Sequence, residues 1–201
     1  MMRQLDGKSL YSESKFNAGR GKGVCEAVIL AGGKSSRMGR DKCSLSLGGR
    51  TLLVHVKEVL LSVGFDPQVL VDDLLPNLGP IGGVATALQK TERHCVMFLG
   101  CDMPFLSGNL LDDFFEMATQ DETAIFSKHP KGMGFPFLIY REDLSKVQGQ
   151  IANGEFSLQR LARKLSARSW VPSHRFKSEL FNINSPEDFA EAKRRMREGN
   201  E

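Results

Sequence analysis

The 201-residue chain contains no run approaching the roughly 20 apolar residues needed to span a bilayer, so a membrane role has no support. Cysteine is scarce: Cys25, Cys43, Cys95 and Cys101 form no C-x-x-C pair. All four lie in or beside apolar segments, and they read as small buried hydrophobes in a reducing compartment. That reading disfavours both a disulfide framework and a zinc site. The phosphate-binding spacing G-x-x-x-x-G-K-[ST] is missing, as is the G-x-G-x-x-G of dinucleotide folds. Excess charge is also small, with 27 Lys and Arg against 24 Asp and Glu. Residues 1–24 hold Arg3, Lys8, Lys15, Arg20 and Lys22 against Asp6 and Glu13, which accounts for the whole formal charge of +3. The neutral remainder argues against a nucleic-acid-binding face. Residues 1–23 have no apolar core of the signal-peptide kind and are expected to be a flexible N-terminal extension, leaving 24–201 as a single domain.

What the chain does contain is an alternation of short apolar, β-branched runs with stretches of helical period, the pattern of parallel strands joined by crossover helices. "VCEAVIL" (Val24 to Leu30) predicts a buried strand. In "TLLVHVKEVLLSVG", Leu52, Leu53, Val56, Val59, Leu60 and Val63 fall on one helical face, and Gly64 is a stop. "QVLV" (Gln68 to Val71) and "CVMFLG" (Cys95 to Gly100) predict further strands, separated by a short helix in "GGVATALQK". "SGNLLDDFFEMA" predicts a helix with Ser107 as N-cap. Beyond it, "TAIFS" and "FPFLIY" flank the glycine-rich connection "KHPKGMG". A last helix is announced by Ser185 as N-cap, Pro186 at the first helical position and Asp188 completing an S-x-x-D box. The fold class is therefore α/β, a mostly parallel sheet with helices on both faces.

Ligands in such sheets bind outside the carboxyl ends of the strands. "LAGGKSSRMGRDK" (Leu30 to Lys42) leaves the first strand at that end, with three glycines and four cations. Gly32 and Gly33 let backbone N–H groups approach a phosphate, and Arg37 and Lys42 supply charge to neutralise it. "GCDMPF" (Gly100 to Phe105) places Asp102 at the end of another apolar strand.

The stretch Leu30 to Lys42 resembles the L-A-G-G-x-S-x-R-M-G-x-D-K signature of Rossmann-like nucleotidyltransferases, and most closely that of molybdenum cofactor guanylyltransferases. "LGPIGG" (Leu78 to Gly83), "GCDMPF" and "FNINSPED" (Phe181 to Asp188) are similar to further family motifs, in family order. The resemblance covers residues 24 to about 195. It implies transfer of GMP from GTP to the terminal phosphate of molybdopterin, with release of pyrophosphate, in the cytoplasm. By the same resemblance Asp102 binds Mg²⁺, while Leu30, Ala31, Gly32, Gly33, Lys42, Asp72 and Asp102 hold GTP. Arg37, Gly82, Gly83, Asn182 and Asn184 face the acceptor, and Lys42, Arg37 and Asp102 carry catalysis. Asp73 is the near alternative to Asp72 for the guanine contact. Asn182 and Asn184 are expected on one side of a strand. The partners implied are GTP and molybdopterin, with transient contact to molybdoenzymes or other cofactor-biosynthesis proteins, and neither nucleic acid nor membrane.

Two departures accompany the resemblance. Gly64 runs almost directly into "FDPQVLVDD", where family members have another strand with a base contact. Near "GEFSLQRL" (Gly154 to Leu161), Phe156 stands where the family has an arginine, with Arg160 a weak substitute. The alternatives are a related nucleotidyltransferase using CTP or acting on a sugar phosphate or cobinamide phosphate, and a non-catalytic nucleotide-binding accessory subunit.

Overall fold

The computed structural model describes residues 23–32, 42–71, 78–130 and 132–198. The first strand, β1 (Cys25–Leu30), starts one residue later than the sequence suggests. A three-residue 3-10 segment (Lys42–Ser44) leads to a small hairpin, β2 (Ser46–Leu47) and β3 (Arg50–Thr51). Its two-residue turn is Gly48-Gly49, with φ +59° and +84°, the conformation that matches hairpin twist and that side chains resist. Helix α1 (Leu52–Ser62) follows, capped by Thr51, whose side-chain oxygen accepts from Val54 N–H. Gly64 ends it with φ +83°, and after three residues with no element among them the chain enters β4 (Gln68–Leu70).

Next come α2 (Pro80–Lys90), β5 (Cys95–Gly100) and α3 (Gly108–Ala118), the last capped by Ser107, which accepts from Leu110 N–H. β6 (Ile125–His129) and β7 (Gly132–Tyr140) form an antiparallel pair. Sequence periodicity did not point to the three elements that follow: α4 (Leu144–Ala152), α5 (Leu158–Lys164) and β8 (Arg168–Trp170). The final described helix, α6 (Pro186–Glu198), begins where its Ser-Pro-x-Asp signal places it.

The sheet order is β4-β1-β5-β7-β6-β8. β1 pairs in parallel with β4 and β5, and β6 in parallel with β8; β7 alone runs the other way. Every residue of β5 is buried, as a central strand covered on both faces requires. Its alternate side chains enter two cores. Cys95, Met97 and Leu99 join Ile29, Val56, Leu60, Leu110 and Phe114 under α1 and α3. Val96 and Phe98 join Val28, Ile81, Leu88, Phe137 and Leu161 under α2, α4 and α5. A third, smaller cluster decides the site: Leu47 and Leu52 meet Ile183 and Ala192, flanked by Phe105, Phe181, Phe189 and Met196. It fastens α6 to the β2–β3 hairpin. Among the described residues no helix is long and apolar enough to cross a membrane.

Candidate functional site

Three segments converge outside the carboxyl ends of β1 and β5. The first carries Lys42 at the start of the 3-10 segment, anchored by the Leu45 N–H donating to Lys42 O at 3.1 Å and by buried Cys43 beside it. The second carries Asp102, two residues past β5. A Cβ on Gly100 would lie 2.6 Å from Asp102 Oδ1 and 3.5 Å from the Phe135 ring, so glycine at 100 is what allows the carboxylate to fold back over the strand end. The third is the approach to α6. Ile183 N–H donates to Asp102 O at 2.9 Å, stitching that segment to the end of β5, while the Ile183 side chain is fully buried in the third cluster.

The capping box divides the work among the polar residues of "FNINSPED". Asp188 Oδ2 accepts from the backbone N–H groups of Asn184 (2.8 Å) and Ser185 (2.9 Å), and Ser185 Oγ accepts from Asp188 N–H (3.2 Å). The helix end is satisfied without either asparagine side chain. Asn184 instead accepts a hydrogen bond from Lys42 Nζ at 3.0 Å. Asn182 Oδ1 is buried and has no hydrogen-bond partner among the described residues. The two asparagines lie on irregular chain, not on the strand that the sequence suggests.

Lys42 Nζ lies 3.9 Å from Asp102 Oδ2, too far for a hydrogen bond, and each side chain is 19% exposed. Burial pushes the Asp102 carboxyl above the usual aspartate range; the Lys42 ammonium opposes that, and the Asp188 carboxylate adds a smaller push upward. The half-satisfied Asp102 carboxylate is a ligand suited to a hard cation, and the segment stitched to it through Ile183 carries the unpaired Asn182 amide oxygen. Among the described residues no three His, Cys, Asp or Glu side chains gather into a cage, so an ion here would need ligand phosphates or water for most of its shell.

The remaining sequence-predicted residues fall as follows. Leu30 and Ala31 are half-buried and Gly32 is exposed; Ala31 N–H donates to Leu70 O at 2.9 Å, fixing the root of the glycine loop to β4. Gly82 and Gly83 are buried in the first turns of α2. Gly33, Arg37, Asp72 and Asp73 lie outside the described residues, as do residues 1–22 of the expected extension. Arg160 is engaged by Glu155 at 2.6 Å, and Phe156 is 43% exposed.

The cysteine reading needs correction. Cys25 and Cys95 are free, buried and opposite each other in the β1–β5 register, as small hydrophobes should be. Cys43 and Cys101, however, are joined in a disulfide with Cα atoms 5.6 Å apart. Their separation of 58 residues carries no local signal; the crossing from β1 through α1 and back to β5 brings them together. Gly100 and Phe135 were likewise silent in the sequence. The glycine preceding Cys-Asp at a strand end was the available clue to the first, and nothing local marks the second.

Residues 27–169 match the family described as the MobA-like NTP transferase domain. A molybdenum cofactor guanylyltransferase of Haemophilus influenzae is 38% identical over 116 residues, 49% of this chain and 60% of that protein. The match therefore spans under two thirds of that relative. Another from Syntrophotalea carbinolica is 30% identical over 194 residues, covering 84% of this chain and 90% of its own. In fold, the crystal structure of molybdopterin-guanine dinucleotide biosynthesis protein A from Archaeoglobus fulgidus superposes with a TM-score of 0.69 at 20% identity, over 86% of this chain and 99% of that one. With a six-stranded sheet whose carboxyl edge gathers Lys42, Asp102 and Asn184, and with a match over most of its length, the chain belongs to the MobA-like NTP transferase family.

Proposed function

We infer that this nucleotidyltransferase moves GMP from GTP to the terminal phosphate of molybdopterin, releasing pyrophosphate. The observation that carries the reading is the placement of Lys42 Nζ between Asn184 Oδ1 (3.0 Å) and Asp102 Oδ2 (3.9 Å) at the ligand-binding edge. The guanylyltransferase names of the relatives favour it over a cytidylyl or sugar-phosphate reaction. An accessory role without catalysis would have no need of a cation and a carboxylate poised together.

The reaction needs no protein nucleophile. The acceptor phosphate is already anionic near neutral pH, so its oxygen attacks the α-phosphorus, the α–β phosphoanhydride bond breaks, and pyrophosphate leaves with the electron pair. The protein must hold two polyanions together and neutralise the charge that shifts onto the leaving oxygens. Lys42 supplies one positive charge, kept at the site by Asn184. Asp102 would hold Mg²⁺, with Asn182 and Asn184 facing the metal and the acceptor phosphate, and the ion would supply charge to neutralise phosphate oxygens. Arg37, Leu30, Ala31, Gly32 and Gly33 would line the phosphates, Asp72 would read guanine N1 and N2, and Gly82 and Gly83 would border the acceptor. We assign residues 24–201 to one catalytic domain and place the reaction in the cytoplasm, with transient handover to molybdoenzymes or other cofactor-biosynthesis proteins. Incubation with each NTP, Mg²⁺ and molybdopterin, followed by mass identification of the product, tests the reading: a cytidylyl product, or none with GTP, overturns it.

A further inference from the structure

We propose that the Cys43–Cys101 disulfide is a positioning cross-link for the phosphate end of this site, opened and closed by thiol–disulfide exchange, so that nucleotide affinity follows its redox state. The proposal rests on the nucleotidyltransferase reading above. Each bonded cysteine is the chain neighbour of one of the two charged residues: Cys43 follows Lys42, and Cys101 precedes Asp102. The bond therefore fixes, within two residues on each side, the separation of the ammonium from the carboxylate. The side of the pair that needs fixing is Lys42. Its 3-10 segment is three residues long, too short to hold itself, and carries one buried residue, Cys43. Asp102 starts from a rigid base, the end of a fully buried strand.

Both redox states have a place in the structure. The Cys43 sulfur lies 3.4 Å from Ala31 O, an acceptor ready for the thiol once the bond is open. Cys43 and Cys101 are each 7% exposed, beside Lys42 and Asp102, whereas Cys25 and Cys95 are 3% exposed at the amino ends of β1 and β5. Burial pushes the Cys25 thiol well up, which disfavours its thiolate. The molecule thus contains one bonded cysteine pair beside the charged residues of the site and one free, buried pair away from them.

Exchange with a small dithiol is balanced. Its thiolate attacks one sulfur of the protein disulfide, the S–S bond breaks, and the released cysteine thiolate takes a proton. The second dithiol sulfur then closes the reagent's own disulfide, releasing the other cysteine. Two electrons and two protons pass to the protein.

The test equilibrates the full chain in buffers of graded reduced to oxidised dithiothreitol. The Cys43–Cys101 bond is scored by alkylation and mass, and Mg²⁺–GTP and Mg²⁺–CTP affinities by titration calorimetry. Opening the bond removes preorganisation and should weaken GTP binding about tenfold, raising KM for GTP with kcat changed less. By linkage, saturating Mg²⁺–GTP must then shift the redox equilibrium toward the bonded form by the same factor, about tenfold, a response that a purely structural bond would not give. The Cys43→Ser/Cys101→Ser double variant should bind GTP like the reduced protein at every buffer ratio, and Cys25→Ser should keep the wild-type response. Equal GTP affinity in both redox states, or a redox equilibrium indifferent to GTP, overturns the proposal while leaving the guanylyl reading intact. If CTP alone binds, with redox-dependent affinity, the cross-link stands and the guanylyl reading falls.

Discussion

The two ends of the β1–β5 strand pair are built from similar residues to opposite ends. At the amino ends, Cys25 and Cys95 face each other in register, and the Tyr140 hydroxyl donates to Asp121 O (2.9 Å) and Ala118 O (3.3 Å), closing that end with a buried phenol. At the carboxyl ends, Leu30 and Gly100 are also in register, but Cys101 and Asp102 follow β5 directly and, across the disulfide, lie Cys43 and Lys42. One end pairs its buried phenol with backbone carbonyls. The other leaves a carboxylate half-neutralised and an asparagine oxygen unpaired. Unsatisfied polarity costs stability, so a carboxylate and an amide oxygen left this way at the carboxyl edge mark a place where a ligand can complete the structure.

Substitutions should separate the two ends cleanly. The largest effect is expected from Asp102→Asn, which keeps size but removes charge: pyrophosphate release should fall by about 10³-fold or more, with Tm nearly unchanged because burial already disfavours the carboxylate. Lys42→Ala should lower kcat/KM by about 10²-fold in the same assay, since one preorganised cation is lost. Asn184→Ala frees Lys42 from its fixed acceptor and should cost about tenfold, a loss that Asn184→Gln would not fully restore because the longer amide misplaces the oxygen. At the closed end, Cys25→Ser buries a hydroxyl among apolar groups and should cost about 1–3 kcal/mol by chemical denaturation while turnover at 25 °C stays at wild type. A wild-type rate for Asp102→Asn, or a crippled one for Cys25→Ser, would erase the distinction.

The smallest effect is a matter of pH. Burial raises the Tyr140 phenol above its ordinary value, so the folded state resists ionisation that the unfolded chain undergoes near pH 10. Its contribution is full below the unfolded value and is lost as pH climbs through the folded one. Melting curves taken from about pH 9 to 11 should therefore fall less steeply for Tyr140→Phe than for wild type.

Much of this architecture could be read directly from residue order. β1 and β5 were legible because strands buried on both faces must be apolar throughout, and α6 because Ser185, Pro186 and Asp188 each perform a distinct job at a helix start. β8 was not: three residues, with Ser169 exposed between Arg168 and Trp170, carry too little pattern to stand out. The β2–β3 hairpin has strands of two residues each, too short for an alternating pattern, so Gly48-Gly49 is its one local signal. The reversal of β7 is a decision of the whole sheet, written in no single segment. At the site, Lys42, Asp102 and Asn184 were legible as motif residues, whereas the bond between Cys43 and Cys101 depends on a closure of 58 residues that only the assembled topology makes. The sequence also could not show that Ser185 and Asp188 cap the helix alone, which frees Asn184 for Lys42.

The Lys42–Asn184 hydrogen bond joins residues 142 positions apart, which sets when in its own synthesis the molecule can first work. A ribosome adding about 5–20 residues per second has made the glycine loop, Lys42 and Asp102 several seconds before Asn184 exists, and the third apolar cluster that delivers it waits for α6. A nascent or prematurely terminated chain can thus carry most of the sheet and still lack the lysine's acceptor. Long-range closure of this kind ties a complete site to a complete chain.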